Sequence, residues 1–411
     1  MIAIKGGRVI DGSGTEPLEN GVVLIEGKEI AGVGRQEELD IPPDAEVLDA
    51  TGKTVMPGLI DAHVHITMTE FDIQRMLTTP FSLTFYETIQ NMQATLEAGV
   101  TTARDASGAD LGVKLAVERG LIAGPRLIIS VGMLSQTGGH GDDYMPLGVE
   151  VPLMPLYPGR PDLICDGPAE ARRATRLAIR AGADVIKIAS SGGVLSPTTE
   201  PDVAQFRMDE LHAIVEEAHA AHKRVMSHAQ SKSGIFNALK AGVESIEHGI
   251  YVDDECIELM LAQGSYLVPT LYAPAAVLEL AERTGRMPEW GLRKTRQVIE
   301  VHRENISRAA EAGVKIVMGT DSGIDGHGSN ARELTMLTQA GLTPMQAIVA
   351  STQTAAECLA LGDKIGTLET GKLADLLIVD GDPLTDIKVL EDKTRLKVVM
   401  KDGQIVIDRR L

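Results

Sequence analysis

The sequence predicts an α/β fold: a (β/α)8 TIM barrel with a small β-sandwich domain built from both chain ends. Three observations predict it. Across residues 57–360, strand-like runs alternate with amphipathic, Ala- and Glu-rich runs, the signature of a parallel sheet covered by helices. Several of those helix-like runs end in Ala-Gly just before the next apolar run. The two ends of the chain share a different texture, with short strands, tight turns and no helix period. At 411 residues the chain is long enough for a large core and more than one domain.

The N-terminal part, residues 1–56, holds short runs at 8–10, 22–26, 29–33 and 46–49, separated by turns rich in Gly, Asp and Pro. The C-terminal part, residues 361–411, does the same at 376–379, 396–401 and 404–408. Neither makes a sandwich alone, so the expected organisation is one β-domain in two halves with the barrel inserted between them. Eight strands follow in order over the middle: 55–66, 101–106, 126–132, 185–189, 224–229, 245–249, 266–270 and 315–321. Helices are expected between them, for example at 169–181 and 209–221. Glycine at Ala98-Gly99, Ala181-Gly182, Ala241-Gly242 and Ala312-Gly313 is expected as a left-handed C-cap. Eight such units over about three hundred residues match a barrel. The alternative, a doubly wound open sheet, is not expected to place chemistry at the ends of so many strands. Residues 133–168, rich in Gly, Pro and Asp, interrupt the rhythm; a loop of that length is expected to be functional and to rise over the C-terminal face.

Bulk properties exclude several classes. A formal net charge of -19 and 3% aromatic residues speak against a nucleic-acid partner. No apolar run is long enough to span a bilayer, so no membrane role is expected. Three scattered cysteines, Cys165, Cys256 and Cys358, suit a reducing compartment, and no CxxC suggests a zinc ribbon. The N-terminus lacks the charged start and apolar core of a signal peptide, and a cytoplasmic location is expected.

In a barrel, chemistry collects at the C-terminal strand ends. His63 and His65 stand two residues apart at the end of the first strand, hence on one face. Lys187 lies inside the apolar fourth strand. His228 ends the fifth strand, His248 the sixth and Asp321 the eighth. Singly, His228 reads as a core histidine, Asp321 as a turn residue and Lys187 as a barrel lysine paired with a carboxylate. Jointly, four histidines, a lysine and an aspartate at one rim read as a metal site, because buried ionisable groups collect where function is. His212, His219 and His222 lie on or near a charged helix and are expected in solvent; His302 lies in another charged helix.

On these residues the chain resembles the amidohydrolase superfamily. His63-Val64-His65, Lys187, His228, His248 and Asp321 match its metal-ligand pattern, and the segment 366–376 is similar to its closing segment. The stretches 135–142 and 187–194 are similar to the prolidase-like branch, which includes Xaa-Pro and other dipeptide hydrolases and relatives that cleave ochratoxin-type amides and phenylureas. The resemblance implies two divalent metal ions, with zinc expected from the imidazole and carboxylate ligands. His63, His65 and Asp321 are then expected to hold one metal, and His228 and His248 the other. An ammonium cannot ligate a cation, but desolvation favours a neutral amine, which adds carbon dioxide. Lys187 is therefore expected as an N6-carboxylysine whose two oxygens bridge the metals.

The expected reaction is cleavage of an amide bond in a small substrate by a metal-bridging hydroxide, most simply by a dipeptidase of prolidase type. Asp321 is the expected proton acceptor and His140, between glycines of the long loop, the expected donor to the substrate carbonyl. His140, Gln230, His327 and Tyr144 are the candidate substrate-binding residues. Gln230 departs from the branch, where a tyrosine often follows the His-Ala that ends the fifth strand. That departure favours the alternative substrates: a non-peptide amide, anilide, phenylurea, carbamate or ochratoxin-type molecule. An inactive scaffold of the same fold is the other alternative, but every expected ligand position is filled. A homo-oligomer is expected from the resemblance.

Overall fold

The computed structural model describes residues 1–145, 148–150 and 155–410. Both chain ends contribute to one eight-stranded sheet. From the N-terminal side come Ile2–Val9, Leu18–Glu26, Glu29–Arg35, Glu46–Asp49 and Thr54–Pro57; from the C-terminal side come Leu376–Val379, Leu396–Lys401 and Gln404–Asp408. The seam between them is the antiparallel pair in which Pro57 faces Leu376 and Thr54 faces Val379. Alternate side chains point to opposite faces. Val55, Leu376, Ile378, Val398 and Met400 pack with Ile4, Val23 and Ile30 in a core of their own. Met56, Leu377, Val379 and Val399 point the other way, into the main core. A sheet buried on both faces explains why these strands read as apolar runs rather than as alternating ones.

Eight parallel strand positions fill the middle: β1 (Leu59–Val64), β2 (Val100–Asp105), β3 (Arg126–Ile129), β4 (Val185–Ala189), β5 (Arg224–Ala229), β6 (Ser245–His248), β7 (Tyr266–Val268) and β8 (Lys315–Ile316). β1, β2 and β3 form one sheet, and β4 to β8 pair in order in another. The short strand Met133–Leu134, just after β3, pairs with β4 and extends that second sheet. Beyond β8 the chain runs back along β1. Ala62 N donates to Met318 O at 2.9 Å, Asp321 N to His63 O at 2.8 Å and His65 N to Ser322 O at 2.8 Å.

Two strands differ from the sequence expectation. Residues 55–66 are two strands in different sheets, and the chain changes sheet at Gly58. A Cβ there would stand 2.2 Å from Thr101 Oγ1, so the crossing requires glycine. The third strand breaks after Ile129 because Val131 takes a left-handed conformation, with φ 67, a strained state for a β-branched residue. Beyond that kink Met133–Leu134 leaves the neighbourhood of β2 for that of β4.

The Ala-Gly helix ends behave as read: Gly99, Gly182, Gly242 and Gly313 all have positive φ, at 83, 98, 97 and 92. The stretch 133–168 contains a short hairpin, Tyr144–Met145 with Val149–Glu150, and part of it lies outside the described residues. Among the described residues, no helix is long and apolar enough to cross a membrane.

Candidate metal centre

The ends of β1, β4, β5, β6 and the segment after β8 converge on one cavity of about 190 Å³, whose wall includes His63, His65, Lys187, His228, His248 and Asp321. The imidazoles form a chain of contacts. Ring centroids are 5.6 Å apart for His63 and His65, 5.0 Å for His63 and His248, and 4.6 Å for His228 and His248. Asp321 Oδ1 lies 3.2 Å from His65 Nε2 and 3.5 Å from His63 Nε2. One ligand atom from each of these three lies within 4.8 Å of the others, an arrangement that could hold a metal ion.

The far side of each ring is anchored. His65 Nδ1 is 2.9 Å from the Ser107 carbonyl and His63 Nδ1 is 2.7 Å from Glu247 Oε2. Both partners only accept, so both Nδ1 atoms carry a proton, and both Nε2 atoms face Asp321. His248 Nδ1 is held 2.8 Å from Thr270 Oγ1, and His228 Nε2 donates to Gly192 O at 3.0 Å. Such outer partners fix tautomer and orientation in metal sites. Burial, reinforced by neighbouring imidazoles and Lys187, holds His63, His228 and His248 well below the ordinary imidazole range, which keeps them neutral. His65 moves the other way: burial lowers it, but its hydrogen bond to Asp321 and that carboxylate's charge raise it further.

Asp321 is pushed up by burial, yet His63, His65 and Lys187 together hold it below the usual carboxylate range. Its backbone is left-handed, with φ 60, as are those of His248 at φ 70 and Thr270 at φ 51. Strained backbone at three successive strand ends aims these groups inward and belongs to functional sites more than to scaffolds. Lys187 is 2% exposed, and its Nζ has no hydrogen-bond partner. Burial lowers its pKa to about 8, against the pull of Glu247 and Asp321.

Several residues of this arrangement were not singled out from sequence. Arg104 Nη2 donates to Glu247 Oε1 at 2.9 Å, Ser245 Oγ donates to the same oxygen at 2.7 Å, and Arg104 Nε donates to Ala62 O at 2.7 Å. Arg104, Glu247 and His63 thus form a fully buried relay behind the site. Asp61 receives the backbone N–H groups of His63 and Thr320, each at 3.1 Å, and ties β1 to the segment that carries Asp321. His302 is buried; its Nε2 donates to the His248 carbonyl at 2.9 Å. A Glu247→Ala variant strands the Arg104 guanidinium without its carboxylate. The expected cost is about 3–5 kcal/mol of unfolding free energy, read by urea denaturation; a loss below about 1 kcal/mol would show that the relay is not structural.

The structure sorts the candidate substrate residues. His140 stacks on His228, with centroids 3.9 Å apart and planes 18° apart, and lines the cavity. Its backbone N–H donates to Gln205 Oε1 at 2.9 Å, while its Nδ1 is buried and unpartnered. Burial, with Lys187 nearby, lowers its pKa to about 3, so the ring is neutral. Gln230 also lines the cavity, its Oε1 buried and without a partner. Tyr144 is exposed on the hairpin, and His327 donates from Nε2 to Met68 O at 2.9 Å. Neither Tyr144 nor His327 is part of the cavity wall.

The amidohydrolase family model matches residues 54–406, the whole of the parallel array and most of the C-terminal strands. The chain belongs to the amidohydrolase family. An ochratoxinase from Aspergillus niger is 36% identical over 424 residues, covering 98% of this chain and 86% of that one. Two solved structures place the amidohydrolase in the prolidase-like branch. A Xaa-Pro dipeptidase with bound methionine superposes with a TM-score of 0.89 at 33% identity, covering 98% of this chain and 99% of the other. A prolidase in complex with N-methylphosphonate-L-proline superposes with a TM-score of 0.91 at 37% identity, covering 99% of both chains.

Proposed function

We propose that this amidohydrolase cleaves the amide bond of a small substrate with the help of two divalent cations, and that it is most simply a prolidase-like dipeptidase. One observation carries the reading: a buried lysine nitrogen without any partner stands beside four anchored imidazoles and a carboxylate. A buried cation in that company is costly. A neutral amine there, having taken up carbon dioxide and released a proton, would become a carbamate whose oxygens are an anionic ligand of the kind that two cations need. His63, His65 and Asp321 would hold one ion and His228 and His248 the other, with N6-carboxylated Lys187 as a further ligand and zinc as the metal. Bound there, the cations supply Lewis-acid activation of the carbonyl and of water.

The remaining work falls to the chain's own side chains. Asp321, kept ionised by His63, His65 and Lys187, accepts a proton from the attacking water and passes it to the leaving amine. His140, neutral and unpartnered at Nδ1, directs a hydrogen bond at the substrate carbonyl oxygen. Gln230 offers a neutral amide to the substrate backbone. His140→Ala is expected to lower kcat/KM by about 10²-fold while metal content stays that of the wild type; an unchanged kcat/KM would remove His140 from the reaction.

The eight strand positions are read as a closed (β/α)8 barrel, an interpretation supported by the three hydrogen bonds from 318–322 to β1. The two-ended sheet is read as the β-sandwich, giving domains 1–56, 57–360 and 361–411. Three free, buried cysteines support a reducing, cytoplasmic setting. Exposed Leu77, Phe81, Leu83 and Tyr86, close together in sequence, support a homo-oligomer.

Metal analysis of purified protein, with activity measured on dipeptides, N-acyl amino acids and anilides before and after chelation, tests the whole reading. About two divalent ions per chain and chelator-sensitive amide cleavage are expected. Absence of bound metal after reconstitution with zinc and bicarbonate would overturn it. The second reading, an ochratoxin-type or other non-peptide amide substrate, is favoured by the 36% identity to ochratoxinase along 98% of the chain and by Gln230.

A further inference from the structure

The loop after β4, residues 190–206, touches three residues of the candidate site. His228 Nε2 donates to Gly192 O at 3.0 Å. The His140 backbone N–H donates to Gln205 Oε1 at 2.9 Å, and the Gln230 backbone N–H donates to Ser191 Oγ at 2.7 Å. A Cβ on Gly193 would stand 2.4 Å from His140 Cε1 and 2.9 Å from His228 Nε2, so the loop backbone lies directly against the stacked pair of imidazoles. Whatever holds this loop therefore holds the orientation of those rings.

The base of the loop is held by its own backbone: Gly192 N donates to Val203 O at 2.9 Å and Gln205 N to Ser190 O at 2.7 Å. Its outer turn is held by a side chain. Ser196 and Thr199 are buried, and a buried carbonyl needs a donor. Lys294, on the helix Glu289–Glu311, supplies one to each: its Nζ donates to Ser196 O at 2.6 Å and to Thr199 O. The same nitrogen is 4.0 Å from Glu200 Oε1 and 5.5 Å from the Trp290 ring centroid. Lys294 is 1% exposed. A buried ammonium carries a desolvation penalty that an apolar side chain in the same space avoids. The two carbonyls it gathers are the reason for a cation at this place.

One tight contact carries this hold to His228. A Cβ on Gly192 would stand 2.2 Å from Glu200 O, so residues 192 and 200 pack backbone against backbone. Glu200 directly follows Thr199, whose carbonyl Lys294 holds. Gly193 N also donates to Thr199 Oγ1 at 3.3 Å. A shift of residues 199–200 is passed to Gly192, and Gly192 O is the partner of His228 Nε2.

We propose that Lys294 is a positioning residue of the candidate metal centre: by gathering two carbonyls of the β4 loop, it holds Gly192 O where that carbonyl fixes the tautomer and tilt of His228. The proton that His228 gives to Gly192 O sits on Nε2, which leaves Nδ1 as the nitrogen able to ligate. That His228 ligates an ion rests on the hydrolase reading proposed above; the hold on its ring does not.

The test compares the wild type with Lys294→Met, which keeps the length of the side chain and removes its donors. The first readout is proton NMR of metal-free protein carrying isotope-labelled histidine. The His228 Nε2–H signal, assigned by its absence in His228→Gln, is expected in the wild type and lost to solvent exchange in Lys294→Met. The His63 Nδ1–H signal, held by Glu247, is expected in both. The second readout is zinc affinity in bicarbonate against a competing chelator. Affinity for the second ion is expected to fall by about tenfold to a hundredfold, the usual effect of losing an outer partner, while affinity for the first stays. An unchanged His228 signal in Lys294→Met overturns the proposal. So does a variant in which both signals and both affinities fall alike, the mark of a lysine that serves stability alone. Should Lys294→Met fail to fold, Lys294→Gln decides by the same readouts, since its shorter amide cannot reach both carbonyls. A wild type that takes up no zinc, with a His228 signal that depends on Lys294, overturns the metal reading and leaves the loop clasp standing. Two bound ions with a His228 signal independent of Lys294 do the reverse.

Discussion

Replacing Asp321 by Asn is expected to lower kcat/KM by about 10²–10⁴-fold, the usual contribution of a positioned proton-transfer group. The substitution is nearly isosteric, so the contacts of the segment after β8 should survive. What it removes is the charge. Asp321 Oδ1 lies 3.2 Å from His65 Nε2 and 3.5 Å from His63 Nε2, and its ionised form is favoured by both imidazoles and by Lys187 although burial opposes it. An amide there can neither take a proton from water nor return one to an amine, and it is a poorer metal ligand. Kinetics should be read beside metal content. A deficit in kcat with the metals retained isolates the proton-transfer role; a deficit that follows metal loss isolates the ligand role. Activity within tenfold of the wild type at full metal content would remove Asp321 from the mechanism.

Lys187→Ala should be the second severe loss, with a fall of ~10³-fold or more, since in the proposed reading several kcal/mol of transition-state stabilisation depend on metals that Lys187 would help to hold. Lys187 Nζ makes no hydrogen bond in its buried position, so its removal breaks none. A loss of stability no greater than that of emptying a buried side-chain space, with metal content and activity both collapsed, is the expected combination. A purely structural lysine predicts the opposite pattern, in which stability falls and bound metal stays. Mass spectrometry under gentle conditions adds a direct check, since a carboxylated lysine adds ~44 Da, the mass of one carbon dioxide. A variant that kept both metals and full activity would end the carboxylysine assignment.

The ligand candidates were legible because strand geometry is local. His63 and His65 are two residues apart, so an extended backbone puts both on one face. His228, His248 and Asp321 each close an apolar run, and parallel strands with short connections bring such ends to one rim. The Ala-Gly helix ends were legible for the same reason, since a left-handed C-cap depends on a few neighbouring residues. Other features had no local signal. Glu247 meets His63 across 184 positions of sequence, and Arg104 meets Glu247 across 143; no spacing rule announces either. His302 lies in a charged helix, Glu289–Glu311. Yet that helix buries Thr295, Val298, His302, Ile306 and Ala309 at intervals of three and four, a stripe hidden by the polar residues within it. Residues 55–66 read as one strand because hydrophobicity cannot distinguish a continuous strand from two that exchange sheets at Gly58.

The sequence by itself determined the alternation of strands and helices, the pairing of the two chain ends and the set of groups at the strand ends. All three follow from periodicity and residue chemistry over short spans. Only the tertiary structure decided which nitrogen of each imidazole faces the cavity and that Lys187 is left without a partner. It alone set Asp321 against His63 and His65, took Tyr144 and His327 out of the cavity wall, and brought Lys294 to the loop after β4. These are contacts between residues far apart in the chain, set by how two sheets and a long loop pack, and neither propensity nor spacing encodes them.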